Sequence, residues 1–288
     1  MSEMPFDKVV LSCDENPIFM PFIPLVAKAW RKFFPEVKVE LAFVTENLKD
    51  SRYENMVDVL QGQHPNLNIT CFPTVEGVHP NNLGKVSRLI LASEQGESVC
   101  LIHDVDSLPL QREYMMKLTE QRKKNTMLCV HVPEIYGNSG KFPMAPTTAE
   151  GHVFKEFINP NNLSYVDLIN SWKDMRVFDG KEAVNNTPDI QYDDRYFSDE
   201  SLLRVLLSRY GLEKRMEMTT NVTRDVGDII YDWRNCTNIP DRGQWNRWSE
   251  EDLFAGKCLE ANLKRPLWLY EEDIKPIVEY IEGYDDDE

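Results

Sequence analysis

Apolar positions in the first 130 residues alternate between two rhythms. Lys8–Ser12 is a short β-branched run, and Val37–Thr45, Leu67–Phe72, Val99–His103 and Met127–Val132 read as further strands. Between them, apolar residues return at helical spacing. In Pro17–Phe34, Phe22, Leu25, Val26, Ala29 and Trp30 share one face. Arg52–Leu60, Asn81–Ser93 and Gln111–Arg122 follow the same rule, with Leu83, Val86, Leu89 and Ile90 spaced for burial in Asn81–Ser93. Strand and helix alternating at this interval predict an α/β fold: a mostly parallel, Rossmann-type sheet flanked by helices.

The pattern loosens after residue 132. Residues 133–151 are rich in Gly, Pro, Ser and Thr and read as a long loop. Helices are expected at Gly151–Ile158 and at Asp199–Tyr210, where Leu202, Leu203, Leu206 and Leu207 form a core face. Tyr231–Trp248 carries Trp, Arg and Asn without periodicity, and the chain ends in the acidic run GYDDDE. The expectation is one domain over 1–288: a first half over 1–132, an irregular second half over 133–275, and an acidic tail over 276–288.

Composition narrows the function. The 288 residues carry 32 basic and 48 acidic side chains, a net charge of −16, which argues against nucleic acid as partner. No apolar run approaches the ~18 residues of a membrane span, and the N-terminus MSEMPFDKVV has no signal-peptide pattern. The six cysteines form no CxxC pair, and four sit in or beside apolar runs. Buried reduced thiols of a cytoplasmic protein are the expectation.

The chemistry concentrates at Val99–Leu110. An apolar strand ends in Asp104-Val105-Asp106, followed by Ser-Leu-Pro. In an open α/β sheet, ligands bind beyond the carboxyl ends of the strands. Two carboxylates placed there repel unless a cation joins them, and Mn²⁺ or Mg²⁺ leaves coordination positions for phosphate oxygens. The DxD therefore reads as a metal–diphosphate clamp held by Asp104 and Asp106.

The run GKVSRLILASEQGESVCLIHDVDSLPL resembles the core of metal-dependent nucleotide-sugar glycosyltransferases of the GT-A fold. VVLSCDENPIFMPFIPLVAKAW resembles the first strand and helix of a subset from large algal viruses, algae and bacteria. GKFPMAP, FSDESLLR, DRGQWNRW and LKRP resemble its later blocks, collinear over about 10–266. The resemblance implies a GT-A-like domain with an acceptor-side second half and transfer of a sugar from a nucleotide-diphosphate donor to a glycan hydroxyl. UDP is the favoured nucleotide because it is common with DxD enzymes, and GDP is the other. The subset often carries Asp-x-His before the final Arg-Pro. Here Leu259–Pro266 reads LEANLKRP, so Glu260, Asn262 or water would take a third metal position.

The resemblance also implies that Lys85 and Arg88, three apart on one helix, reach the nucleotide or its phosphates. Two solvated cations is the plainer reading. Ser12, Cys13 and Asp14 end the first strand, where this fold cradles base and ribose, although Asp14 also suits a turn or cap. Asp199 and Glu200 read either as first-turn acids of a capped helix or as carboxylates facing the acceptor. Gly137, Ser139 and Gly140 suit a loop closing over the donor. Trp245 and Trp248, beside Arg242 and Arg247, suit a sugar platform, although a Trp more often fills a core, and His103 reads as core, facing away from Asp104. Two rivals stand. Asp104-Val-Asp-Ser-Leu with Gly227-Asp228-x-x-x-Asp232 also resembles a haloacid-dehalogenase-type phosphatase, and the fold could bind a nucleotide-sugar or glycan without turnover.

Overall fold

The computed structural model describes residues 4–46, 48, 50–120, 122–130, 144, 146–173, 198–210, 216–219, 253–254, 260–263 and 271–283. The first half alternates as its periodicity predicts: β1 (Lys8–Asp14), α1 (Phe22–Phe33), β2 (Lys38–Thr45), α2 (Ser51–Gln63), β3 (Leu67–Pro73), α3 (Pro80–Ser93) and β4 (Val99–Ile102). β5 (Ser107–Pro109), α4 (Arg112–Thr119) and β6 (Met127–Val130) follow. Then come β7 (Thr147–Glu150), α5 (Gly151–Ile158), α6 (Tyr165–Lys173), α7 (Ser198–Tyr210), β8 (Met216–Thr219), β9 (Glu260–Asn262) and α8 (Glu271–Glu282).

Local chemistry sets the helix starts. Asp50 caps α2, its carboxylate accepting the Arg52 N–H at 2.9 Å. At α3, the His79 ring nitrogen accepts from the Asn81 N–H at 3.2 Å, and Pro80 occupies the first turn, where no N–H is needed. The helix expected from Pro17 begins at Phe22, because 17–21 is a turn.

Among the described residues the main sheet runs β3-β2-β1-β4-β7-β6-β8. The β1–β2, β2–β3, β1–β4 and β6–β8 pairs are parallel, and β7 is antiparallel to both neighbours. The α/β class with a mostly parallel sheet flanked by helices thus stands as expected. β1 is central and covered on both faces. Val9, Leu11 and Cys13 face the cluster with α1, whereas Val10 faces the cluster with α3, α5 and α6.

Three second-half features depart from the sequence reading. Thr147–Glu150, expected to be loop, is a strand wedged between β4 and β6, with both threonines fully buried. Tyr165–Lys173, given no element, is a helix that buries Leu168, Ile169 and Trp172. The segment set apart as an acidic tail from 276 is helical as far as Glu282, and Ile277 and Ile281 join the core cluster that contains α1. Of the cysteines, Cys13, Cys100 and Cys129 are buried thiols, but Cys71 is exposed on β3. No described helix is long and apolar enough to cross a membrane.

Candidate functional site

The carboxyl ends of β1 and β4, with α3 lying against them, gather most of the singled-out residues. The alternation of β1 turns Cys13 into the α1 face and sends Ser12 and Asp14 to the α3 face. Gly84 permits the approach of α3: a Cβ there would sit 3.4 Å from the Asp14 Cβ and 3.5 Å from its backbone nitrogen. The Asp14 side chain is buried, accepts from the Asn16 N–H at 3.3 Å, and has its pKa raised, chiefly by burial. Cys13 is a buried thiol whose pKa burial pushes well up, with Asp14 and Asp106 adding to the rise. Ser12 is half-buried.

β4 splits its exit the same way. The His103 ring packs edge-on against Trp30 at 5.5 Å, a core position as expected, and Asp104 turns to α3. The Val105 side chain is also core, so only its backbone is available to a ligand. Asp106 is largely buried at the turn into β5. β5 pairs with β9, setting Ser107 opposite Asn262, and the Leu263 N–H donates to the Asp106 carbonyl at 2.8 Å. The segment that departs from the Asp-x-His pattern is thereby held beside the DxD.

Arg88 is the hinge of this arrangement. It is 6% exposed. One terminal nitrogen donates to the His103 carbonyl at 3.0 Å and to Asp104 Oδ1 at 2.6 Å, and the other to Asp199 Oδ2 at 2.6 Å. Burial opposes its charge, but Asp104 and Asp199 outweigh that and raise its pKa. Asp199, in the first turn of α7, is itself 3% exposed. Glu200 beside it and Lys85 on α3 are half-buried. Burial lowers the Lys85 pKa, against the pull of Asp199, Glu200 and Asp104. The structure thus groups Lys85, Arg88, Asp104, Asp199 and Glu200, three carboxylates against two cations, while Asp14 lies against Gly84 of the same helix and Asp106 precedes β5.

Sequence reasoning missed one support of the site, Glu15, and one buried polar group on α3, Asn82. Glu15 accepts from the Glu46 N–H at 3.0 Å and from the Thr45 hydroxyl, tying the ends of β1 and β2 together. Asn82, in the first turn of α3, is 1% exposed, and its carboxamide has no hydrogen-bond partner. Nothing local marks either residue. Among the described residues, no group of three or more His, Cys, Asp or Glu is arranged to hold a metal. His131, Gly137, Ser139, Gly140, Asp228, Asp232, Trp233, Arg242, Trp245, Arg247 and Trp248 lie outside the described residues.

No protein-family model matches the chain, and no curated protein sequence matches it. Among solved structures, distant likenesses are found. The galactosyltransferase LgtC in complex with donor and acceptor sugar analogues is 10% identical, over 93% of this chain and 94% of LgtC, at a TM-score of 0.47. The glycosyltransferase GlyE of Streptococcus pneumoniae is 13% identical over 89% of this chain and 54% of GlyE, at 0.43. The mannosyltransferase PcManGT of Pyrobaculum calidifontis, in complex with GDP-Man and Mn²⁺, is 13% identical over 95% of this chain and 68% of PcManGT, at 0.39. Likenesses this distant leave the functional argument to the residues of the site.

Proposed function

We propose that the chain is a metal-dependent glycosyltransferase that moves a sugar from a nucleotide-diphosphate donor to a hydroxyl of a glycan acceptor. The observation that carries this reading is the strand-end DxD. Asp104 and Asp106 stand at the carboxyl end of a central strand, beside an acceptor-side helix start that carries Asp199 and Glu200. The donor set suits Mn²⁺ or Mg²⁺, since it consists of hard carboxylate oxygens. Asp104 stays accessible, with its side chain 43% exposed although Oδ1 accepts from Arg88. A divalent cation held there supplies Lewis-acid stabilisation of charge on the departing diphosphate.

The chain's own residues do the rest. Ser12 and Asp14 end β1 where the nucleoside would lie, and Asp14 offers an acceptor to ribose hydroxyls. Lys85 is the cation at hand for the donor phosphates, because Arg88 already has protein acceptors on both terminal nitrogens. In the transfer, the acceptor oxygen bonds to the anomeric carbon, the bond from that carbon to the diphosphate breaks with its electron pair going to the diphosphate oxygen, and the hydroxyl proton passes to a carboxylate beside the acceptor. Of the two acids at the start of α7, Glu200 keeps more solvent exposure, so it is the one placed to meet the acceptor. UDP is the favoured nucleotide, with GDP as the alternative, and a cytoplasmic location goes with the free thiols. The phosphatase reading has less support. Its nucleophile usually follows the first strand of the chain, whereas Asp104 follows the fourth.

The test is calorimetric titration of UDP and GDP, each with and without Mn²⁺, into the wild-type protein and Asp106→Ala. Binding of one nucleotide that needs Mn²⁺ and disappears in the folded variant is the expected result. No binding of either nucleotide under any condition would overturn the proposal.

A further inference from the structure

Arg88 has a feature that neither a phosphate ligand nor a surface cation would show: it is enclosed, and two carboxylates on different elements share it. Asp104 comes from the end of β4 and Asp199 from the start of α7, 95 positions later in the chain, and each meets a separate terminal nitrogen at 2.6 Å. The His103 carbonyl takes a third bond, at 3.0 Å, so the guanidinium plane is fixed. A diphosphate could reach this group only by stripping those bonds inside a buried setting.

We propose that Arg88 is a positioning residue that couples the DxD carboxylate of Asp104 to the acceptor-side carboxylate of Asp199. The proposal rests on the reading of Asp104 as a metal-binding carboxylate. Two anions that share one cation are linked. Whatever draws Asp104 toward a second cation loosens its hold on Arg88 and leaves more of the guanidinium charge to Asp199. By reciprocity, removing the Asp199 charge leaves Arg88 to Asp104 alone and makes Asp104 a poorer partner for a divalent ion. The fork geometry is needed for this, because a lysine ammonium would not span two carboxylates in one plane. The start of α7 is therefore held against α3 by the same group that orients the first DxD carboxylate. An acceptor-side residue that touches no metal would then tune metal affinity on the donor side.

Two measurements test this. Mn²⁺ is titrated in the presence of saturating UDP, and in parallel GDP, into wild type and Asp199→Asn. The coupling predicts affinity weakened about five- to tenfold in the variant. Thermal melts in EDTA then compare Asp104→Asn, Asp199→Asn and the double variant. A shared cation predicts that the double variant loses more in Tm than the two single losses added together, because only there is Arg88 left without a carboxylate. Unchanged Mn²⁺ affinity in a folded Asp199→Asn, or strictly additive melts, overturns the coupling and leaves the donor-site reading intact. Wild type that takes up no Mn²⁺ with either nucleotide overturns both. Should Asp199→Asn fail to fold, Arg88→Lys replaces it: it keeps the buried charge but cannot reach both acids, and Mn²⁺ affinity equal to wild type would again overturn the coupling.

Discussion

Asp14 shows what a buried carboxylate costs its own fold. Its carboxylate is buried against Gly84 of α3, and burial raises its pKa above the ordinary 3.8. A raised carboxylate contributes stability below its unfolded pKa and loses it as pH rises through the folded value. At neutral pH the charged form is therefore a burden on the native state. Asp14→Asn keeps an acceptor for the Asn16 N–H and removes the charge. The variant should melt above wild type at pH 7, with the gap closing as pH falls toward 3.8, read by thermal denaturation across that range. If Asp14 meets the ribose, the same variant should bind the nucleotide more weakly, gaining stability while losing function. Arg88 is the opposite case, since two acids compensate its burial, and removing one leaves the other to hold the buried charge alone.

At the scale of elements, the junction of β7 with α5 is close-packed around Gly151. A Cβ on Gly151 would come within 2.7 Å of the Gly96 nitrogen, 2.8 Å of the Gln95 carbonyl carbon and 2.9 Å of the Ala92 oxygen, all of them backbone. Backbone atoms cannot swing away as a side chain would. Gly151→Ala should cost about 1–3 kcal/mol, measured as a lowered urea midpoint. This close packing sets α5 against the end of α3, and α3 carries Lys85 and Arg88. Elements with strong periodicity were readable from the chain alone, as α3 and β1 show. β7 was not. Its four residues, Thr-Thr-Ala-Glu, have no apolar alternation, and a Gly- and Pro-rich stretch precedes them. They become a strand because β4 and β6 offer ladders on both sides. The sense of α8 was hidden by its charges, although Ile277 and Ile281 carry an i, i+4 apolar pair.

At the scale of the molecule, the end of the chain closes on its beginning. α8 packs beside α1, where Lys28 meets Glu282 at 2.8 Å and Phe33 stacks on Tyr280 with ring centroids 6.1 Å apart. Just upstream, β9 pairs with β5 and holds the turn that carries Asp106. The C-terminal arm is thus a structural part of the end of the sheet that carries Asp104 and Asp106. Ile281→Ala should cost about 2–5 kcal/mol, seen as a lower urea midpoint with an unchanged slope. A loss below 0.5 kcal/mol would mean that the arm docks without sharing the core.

The sequence by itself determined the α/β class, the strand that ends in Asp104-Val-Asp106, and the one-face placement of Lys85 and Arg88. Period and spacing are properties of neighbouring residues, so they survive without a fold. Only the tertiary structure decided what those residues do to one another. That Arg88 faces Asp199 as well as Asp104, that β7 enters the sheet out of order, and that residues 260–263 flank the DxD all join positions far apart in the chain. Such pairings depend on which buried charge finds a partner and which strand edge is left open. No local pattern encodes either, because each is settled only when the whole chain has closed around it.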